Sequence, residues 1–94
     1  MIIAVDYDGT LEIKGKLNQQ LIESLRRVQR RGDTVILWTC REGKTLQNAL
    51  QALNGAGFRP QYVNCNAPEA IRRMGHDSRK VYADLYLDDK GAAL

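Results

Sequence analysis

The chain has 94 residues, and typical domains run to about 100 to 150, so it is expected to fold as one domain, residues 1–94, with no second. Hydrophobic residues at 44% beside charged residues at 27% form a globular balance that excludes wholesale disorder and leaves a small core. Fourteen Lys and Arg against 11 Asp and Glu leave a net charge of +3, which favours anionic partners and permits nucleic acid without implying it.

The chain opens on Met1 to Val5, an apolar, β-rich run without alternation that fits a strand buried on both faces of a parallel sheet. This longest apolar stretch is far short of the roughly 20 residues that cross a bilayer, and it lacks the marks of a signal peptide. A cytoplasmic protein with no membrane partner is expected. After the polar link Gly9 to Lys16, Asn18 is placed to cap a helix that carries Leu21, Ile22, Leu25 and Val28 on one side. Arg26, Arg27, Arg30 and Arg31 occupy the other side, the ordinary place for charge. Gly32 and Asp33 break that helix, and Thr34 to Trp38 reads as a second buried strand ending at Thr39 and Cys40.

A second helix holds Leu46, Ala49, Leu50 and Leu53 at helical spacing and closes near Gly55 and Gly57. Pro60 leads to a short third strand around Tyr62 to Asn64, and Pro68 suits the first turn of a short helix over Glu69 to Met74. Lys80 introduces VYADLYL, a fourth strand ending in Asp88 and Asp89, after which the sheet is expected to gain nothing more. Strands alternating with helices mean βαβ units with right-handed crossovers, hence a small Rossmann-like α/β fold. The expectation is a four-stranded parallel sheet, ordered 4-1-2-3, with helices on both faces.

Ligands of open parallel sheets bind beyond the carboxyl ends of the strands. Those ends deliver Asp6, Asp8, Gly9 and Thr10; Thr39 and Arg41; Asn64 and Asn66; Asp88 and Asp89. Carboxylates gathered from the first and last strands repel one another unless a cation or protons intervene, and clustered oxygen donors suit a hard ion such as magnesium. Magnesium in turn invites phosphate, with Thr39 offering a hydroxyl at the start of a helix and Lys80 a compact positive charge.

On these residues the chain resembles the haloacid dehalogenase superfamily. IIAVDYDGT resembles its first motif, an apolar strand followed by DxDGT; VILWT the second; Lys80 serves as the third; LYLDD the fourth, an apolar strand ending in paired acids. Little chain lies where members insert cap domains, so the resemblance is to small members without a cap. It implies a magnesium-dependent phosphomonoester hydrolase in which Asp6 is the nucleophile, forming an aspartyl-phosphate, and Asp8 the general acid and base. An acid at the position of Asp8 implies a phosphatase rather than a dehalogenase or P-type ATPase. The Asp6 side chain, the Asp8 backbone carbonyl and Asp88 are the implied metal ligands, and Asp89 orients the shell through water. Gly9 through its amide, Thr39 and Lys80 are implied to stabilise the transferring phosphoryl group. Arg41 is a candidate substrate contact. The absence of a cap implies a large substrate that covers the site itself, or a second copy of the chain serving as lid, and an uncovered sheet face is a further reason to expect a homo-oligomer.

Other readings carry less. Cys40 and Cys65 lack CxxC spacing, and with a single histidine in the chain they are expected to be reduced, buried thiols. His76 has no acid or nucleophile at a pairing distance in sequence and takes no role. Gly43, Lys44 and Thr45 imitate the end of a P-loop, but the leading glycine of GxxxxGKT is replaced by Trp38. A receiver domain is disfavoured by the order of its acids. The rival of another class is an inactive domain of the same fold that binds phosphate, nucleic acid or a protein partner without turnover.

Overall fold

In the computed structural model, which describes residues 1–77, 81–89 and 91–93, the first strand, β1 (Ile2–Val5), is buried at all four positions. That is why it reads as an unbroken apolar run: its alternating side chains feed two cores. Ile3 and Val5 join one cluster with Val35, Leu37, Ile22, Leu25, Ala49, Leu53 and Phe58. Ile2 and Ala4 point the other way, with Ile36, Ala67, Ala70, Val81 and Ala83. Helices α1 (Gln19–Arg30) and α2 (Gly43–Gly55) thus cover one sheet face, and α3 (Pro68–Met74) with the 81–83 segment covers the other.

The remaining strands are β2 (Glu12–Ile13), β3 (Lys16–Leu17), β4 (Thr34–Leu37), β5 (Tyr62–Val63), β6 (Leu85–Asp88) and β7 (Gly91–Ala93). The main sheet runs β5-β4-β1-β6-β7. Its first four members are parallel, β4 and β6 flanking β1, and β7 is antiparallel to β6. β1 is therefore central, and its carboxyl end opens between those of β4 and β6.

Three elements differ from the sequence reading. The sheet does not stop at Asp89, because the chain reverses and adds β7, with Asp88 opposite Gly91. The polar link between β1 and α1 contains a hairpin of β2 and β3. Its two-residue loop, Lys14 and Gly15, has both φ values positive, at 52° and 83°, the requirement of a type I′ turn. Third, β6 is shorter than VYADLYL suggests. Residues 81–84 are held mainly by side chains: the Tyr86 hydroxyl donates to Val81 O at 2.6 Å and accepts from Ala83 N at 3.0 Å. Asn66 Oδ1 accepts from Tyr82 N, and Asp84 Oδ2 accepts from Ile2 N at 2.7 Å.

Asn18 caps α1 as expected, its Oδ1 accepting from Leu21 N at 3.2 Å. Cys40 and Cys65 are exposed rather than buried, because each lies in a loop beyond a strand end instead of within the strand. Among the described residues no helix is long and apolar enough to cross a membrane.

Candidate active site

The site begins where β1 runs out of hydrophobic partners. Asp6 N still donates to Leu87 O at 2.9 Å, and Trp38 N donates to Val5 O at 2.9 Å, so the flanking strands fix the backbone on both sides of β1. The next residues fold into a tight loop. Thr10 N and Glu12 N both donate to Tyr7 O, and Gly9 N donates to Glu12 O at 2.8 Å. Tyr7 is buried in the core at 4% exposure, which turns the neighbouring Asp6 and Asp8 towards the strand ends.

Asp6 is partly buried, and one carboxylate oxygen accepts from Tyr7 N at 2.8 Å. Burial raises its pKa, and the charges of Asp8, Asp89 and Asp88 push the same way, against the opposing Tyr7 hydrogen bond. With Trp38, Thr39, Cys40, Asn64 and Asp88 it lines a cleft of about 560 Å³. Thr39 does not start α2, whose first residue is Gly43. Its hydroxyl instead accepts from Arg41 N at 3.1 Å, while its own N–H donates to Asn64 Oδ1 at 2.8 Å. With one N–H already received, the Thr39 hydroxyl keeps its own proton to donate.

Asp8 stands apart from this cleft. Its side chain is 56% exposed and forked by Arg41, with Nε to Oδ2 at 2.9 Å and Nη2 to Oδ1 at 2.8 Å. The guanidinium also lies 4.7 Å from the centre of the Tyr7 ring and donates to Thr45 O at 3.2 Å. This hydrogen-bonded pairing holds the Asp8 carboxyl below the usual carboxylate range. Sequence spacing, 33 residues between the two, carried no signal for it.

Gly9 has a different role from the expected one. Its amide, expected to meet a phosphoryl oxygen, is spent on Glu12 O. What the position requires is the absence of a side chain: φ is +80°, and a Cβ would lie 3.1 Å from Asp89 Cβ. The β6–β7 turn thereby seats Asp89 directly against the DxDGT loop. Thr10, 7% exposed, buries a hydroxyl with no partner among the described residues. Lys80 lies outside the described residues.

The structure therefore brings Asp6, Asp88 and Thr39 to one cleft and Asp89 to the adjoining loop, and it gives the Asp8 carboxylate to Arg41. Among the described residues no three His, Cys, Asp or Glu side chains converge as a preformed metal cage. A magnesium ion is ordinarily held by only one or two carboxylates, with waters and substrate oxygens completing the shell. The carboxylates of Asp88, Asp89 and Asp8 near Asp6, whose charges add to burial in raising its pKa, fit such an ion. A second cleft, of about 360 Å³, lies between α2 and β5; Phe58, Pro60 and Val63 line it, and its one guanidinium, Arg59, donates to Asn54. No carboxylate lines it.

Comparison with known proteins agrees with this fold. The family model of the haloacid dehalogenase-like hydrolases matches residues 3–85. The chain is also similar to the solved structure of a conserved protein from Bacteroides thetaiotaomicron, with a TM-score of 0.80 and 35% identity over 97% of this chain and 77% of that one. None of the curated proteins matches.

Proposed function

This chain belongs to the haloacid dehalogenase-like hydrolases, and we propose that the bond it hydrolyses is a phosphate monoester and that its cation is magnesium. One observation carries the reading. Asp6, partly buried among other carboxylates at the end of a fully buried strand, faces a cleft that it shares with Asp88 and Thr39.

The Asp6 and Asp88 side chains and the Asp8 backbone carbonyl would hold the ion, with Asp89 reached through water; when bound, it neutralises charge between phosphate and carboxylates. Asp6 attacks phosphorus as the bond to the leaving oxygen breaks, giving an aspartyl-phosphate. Asp8 gives its proton to that oxygen, then takes one from the water that attacks the same phosphorus and frees Asp6. Thr39, through the hydroxyl proton left to it, and Lys80 stabilise the phosphoryl oxygens. Asp8 has to leave Arg41 before it delivers a proton, so opening of this pair is part of the cycle.

A panel of phosphomonoesters, assayed with and without magnesium on the wild type and on Asp6→Asn, tests the proposal. Metal-dependent turnover that vanishes in the variant is expected. Turnover without divalent metal, or retained in Asp6→Asn, refutes the mechanism. The capture of Asp8 by Arg41 favours one other reading, a domain that binds phosphate without turning it over; saturable phosphate binding with no hydrolysis across the panel would establish it.

A further inference from the structure

The cleft at Asp6 contains a large aromatic side chain that phosphate chemistry does not use. Trp38, the only tryptophan of the chain, is 38% exposed and lines the same cleft as Asp6, Thr39 and Asp88. By strand alternation it follows Ile36 on the α3 face, yet it belongs to neither core cluster. Its backbone is not free to drift, because Trp38 N donates to Val5 O at 2.9 Å. A large aromatic side chain is costly to leave in water at a fixed position, and it supplies a flat face to a ligand.

Asn64 stands beside it on the same cleft with φ at +54°, a left-handed conformation uncommon for a residue other than glycine. Its Oδ1 is engaged by Thr39 N, while its Nδ2 donates to no described residue. The cleft therefore presents, next to the phosphate position, an exposed indole and an amide donor.

We propose that Trp38, with Asn64, selects phosphomonoesters whose leaving group carries a planar aromatic ring, the ring stacking on the indole while the phosphorus sits at Asp6. The inference rests on the reading of this site as a phosphomonoester site. A volume of about 560 Å³ is within the ordinary size of pockets that take a small ligand, enough for a ring as well as a phosphate. Stacking of one nucleobase on an aromatic side chain contributes about 1–3 kcal/mol, a preference of roughly fivefold to 150-fold.

The uniqueness of Trp38 makes the test direct, since all tryptophan emission comes from the proposed contact. Asp6→Asn protein is titrated with adenosine 5′-monophosphate and with ribose 5-phosphate, which differ only in the base, and with O-phosphotyrosine against O-phosphoserine. Saturable quenching and tighter binding, by fivefold or more, are expected for the ring-bearing member of at least one pair, and the favoured pair identifies the source of the ring. In the wild type the ratio of kcat/KM between adenosine 5′-monophosphate and ribose 5-phosphate, or the affinity ratio within the phosphoamino acid pair, should fall towards one in Trp38→Ala and be partly kept in Trp38→Phe. Equal affinities within both pairs, or a ratio unchanged in Trp38→Ala, overturn the inference. Selective quenching without any hydrolysis in the wild type leaves Trp38 in its role and removes the phosphatase reading. Turnover without ring preference does the reverse.

Discussion

Asp6 is held in an environment that suits its chemistry and opposes its charge. A carboxyl whose pKa is raised by folding contributes stability that is present below its unfolded pKa and lost as the pH rises through the folded one. At neutral pH without divalent metal, Asp6→Asn is therefore expected to unfold a few degrees above the wild type, while losing at least about a hundredfold in turnover. A thermal melt beside the activity assay checks both; a melting temperature below the wild type would mean that the carboxylate is structurally favourable. Asp8 has the opposite sign, its pKa lowered by Arg41. Because the Asp8 end of the pair lies in water, where charge pairs are screened, Arg41→Ala should lower stability only modestly. Its effect belongs in the pH profile. With Asp8 released, the general acid stays protonated to higher pH, and the alkaline limb of kcat/KM should move upward. A limb that stays in place would mean that another group sets it.

At the scale of elements, the DxDGT loop and the β6–β7 turn are built as one unit at Gly9 and Asp89. Gly9→Ala meets both a positive φ and a Cβ contact at 3.1 Å, a strain of about 1–3 kcal/mol. Chemical denaturation should show that loss, with a larger fractional loss of activity because the same Cβ displaces Asp89. This unit also marks how far the sequence is readable. The buried runs around Ile3 and Val35 announce themselves because strands packed on both faces need apolar residues at every position, and the run around Leu87 reads alike although it is only half-buried. Asp6 and Asp88 are legible because they end such runs. Tertiary detail is not. No local pattern says that Arg41 reaches Asp8, that the Gly9 amide turns inward to Glu12, or that residues 81–83 are held by the Tyr86 hydroxyl and Asn66 before the chain joins β1 at Asp84. Thr39 was readable as a strand-end hydroxyl, but its distance from α2 depends on the path of residues 40–42, which carries no periodicity. β7 has only three residues, Gly91–Ala93, too few to carry any.

For the whole molecule, an uncovered sheet face was one ground for expecting association between copies. That ground does not hold, because α3 and residues 81–83 fill the second face. An interface would have to use what is left exposed among the described large apolar residues: Met1, Ile13 and Trp38. Magnesium should raise the melting temperature by several degrees through binding to the folded state alone, and Asp88→Ala should shrink the rise. An equal rise in the variant would remove Asp88 from the metal shell. The pairing of β1 with β6 has a consequence in time. Ile2 N meets Asp84 across 82 residues of sequence, and Ile3 is in register with Leu85. Contacts that distant carry a larger loop-closure cost than the nearer β1–β4 pairing and are expected to form after it. A chain in which β6 has not docked would carry Asp6 without Asp88 and without the cleft they share. Docking of β6 beside β1 is the step that brings Asp88 to Asp6, so a half-folded chain is expected to lack the proposed site.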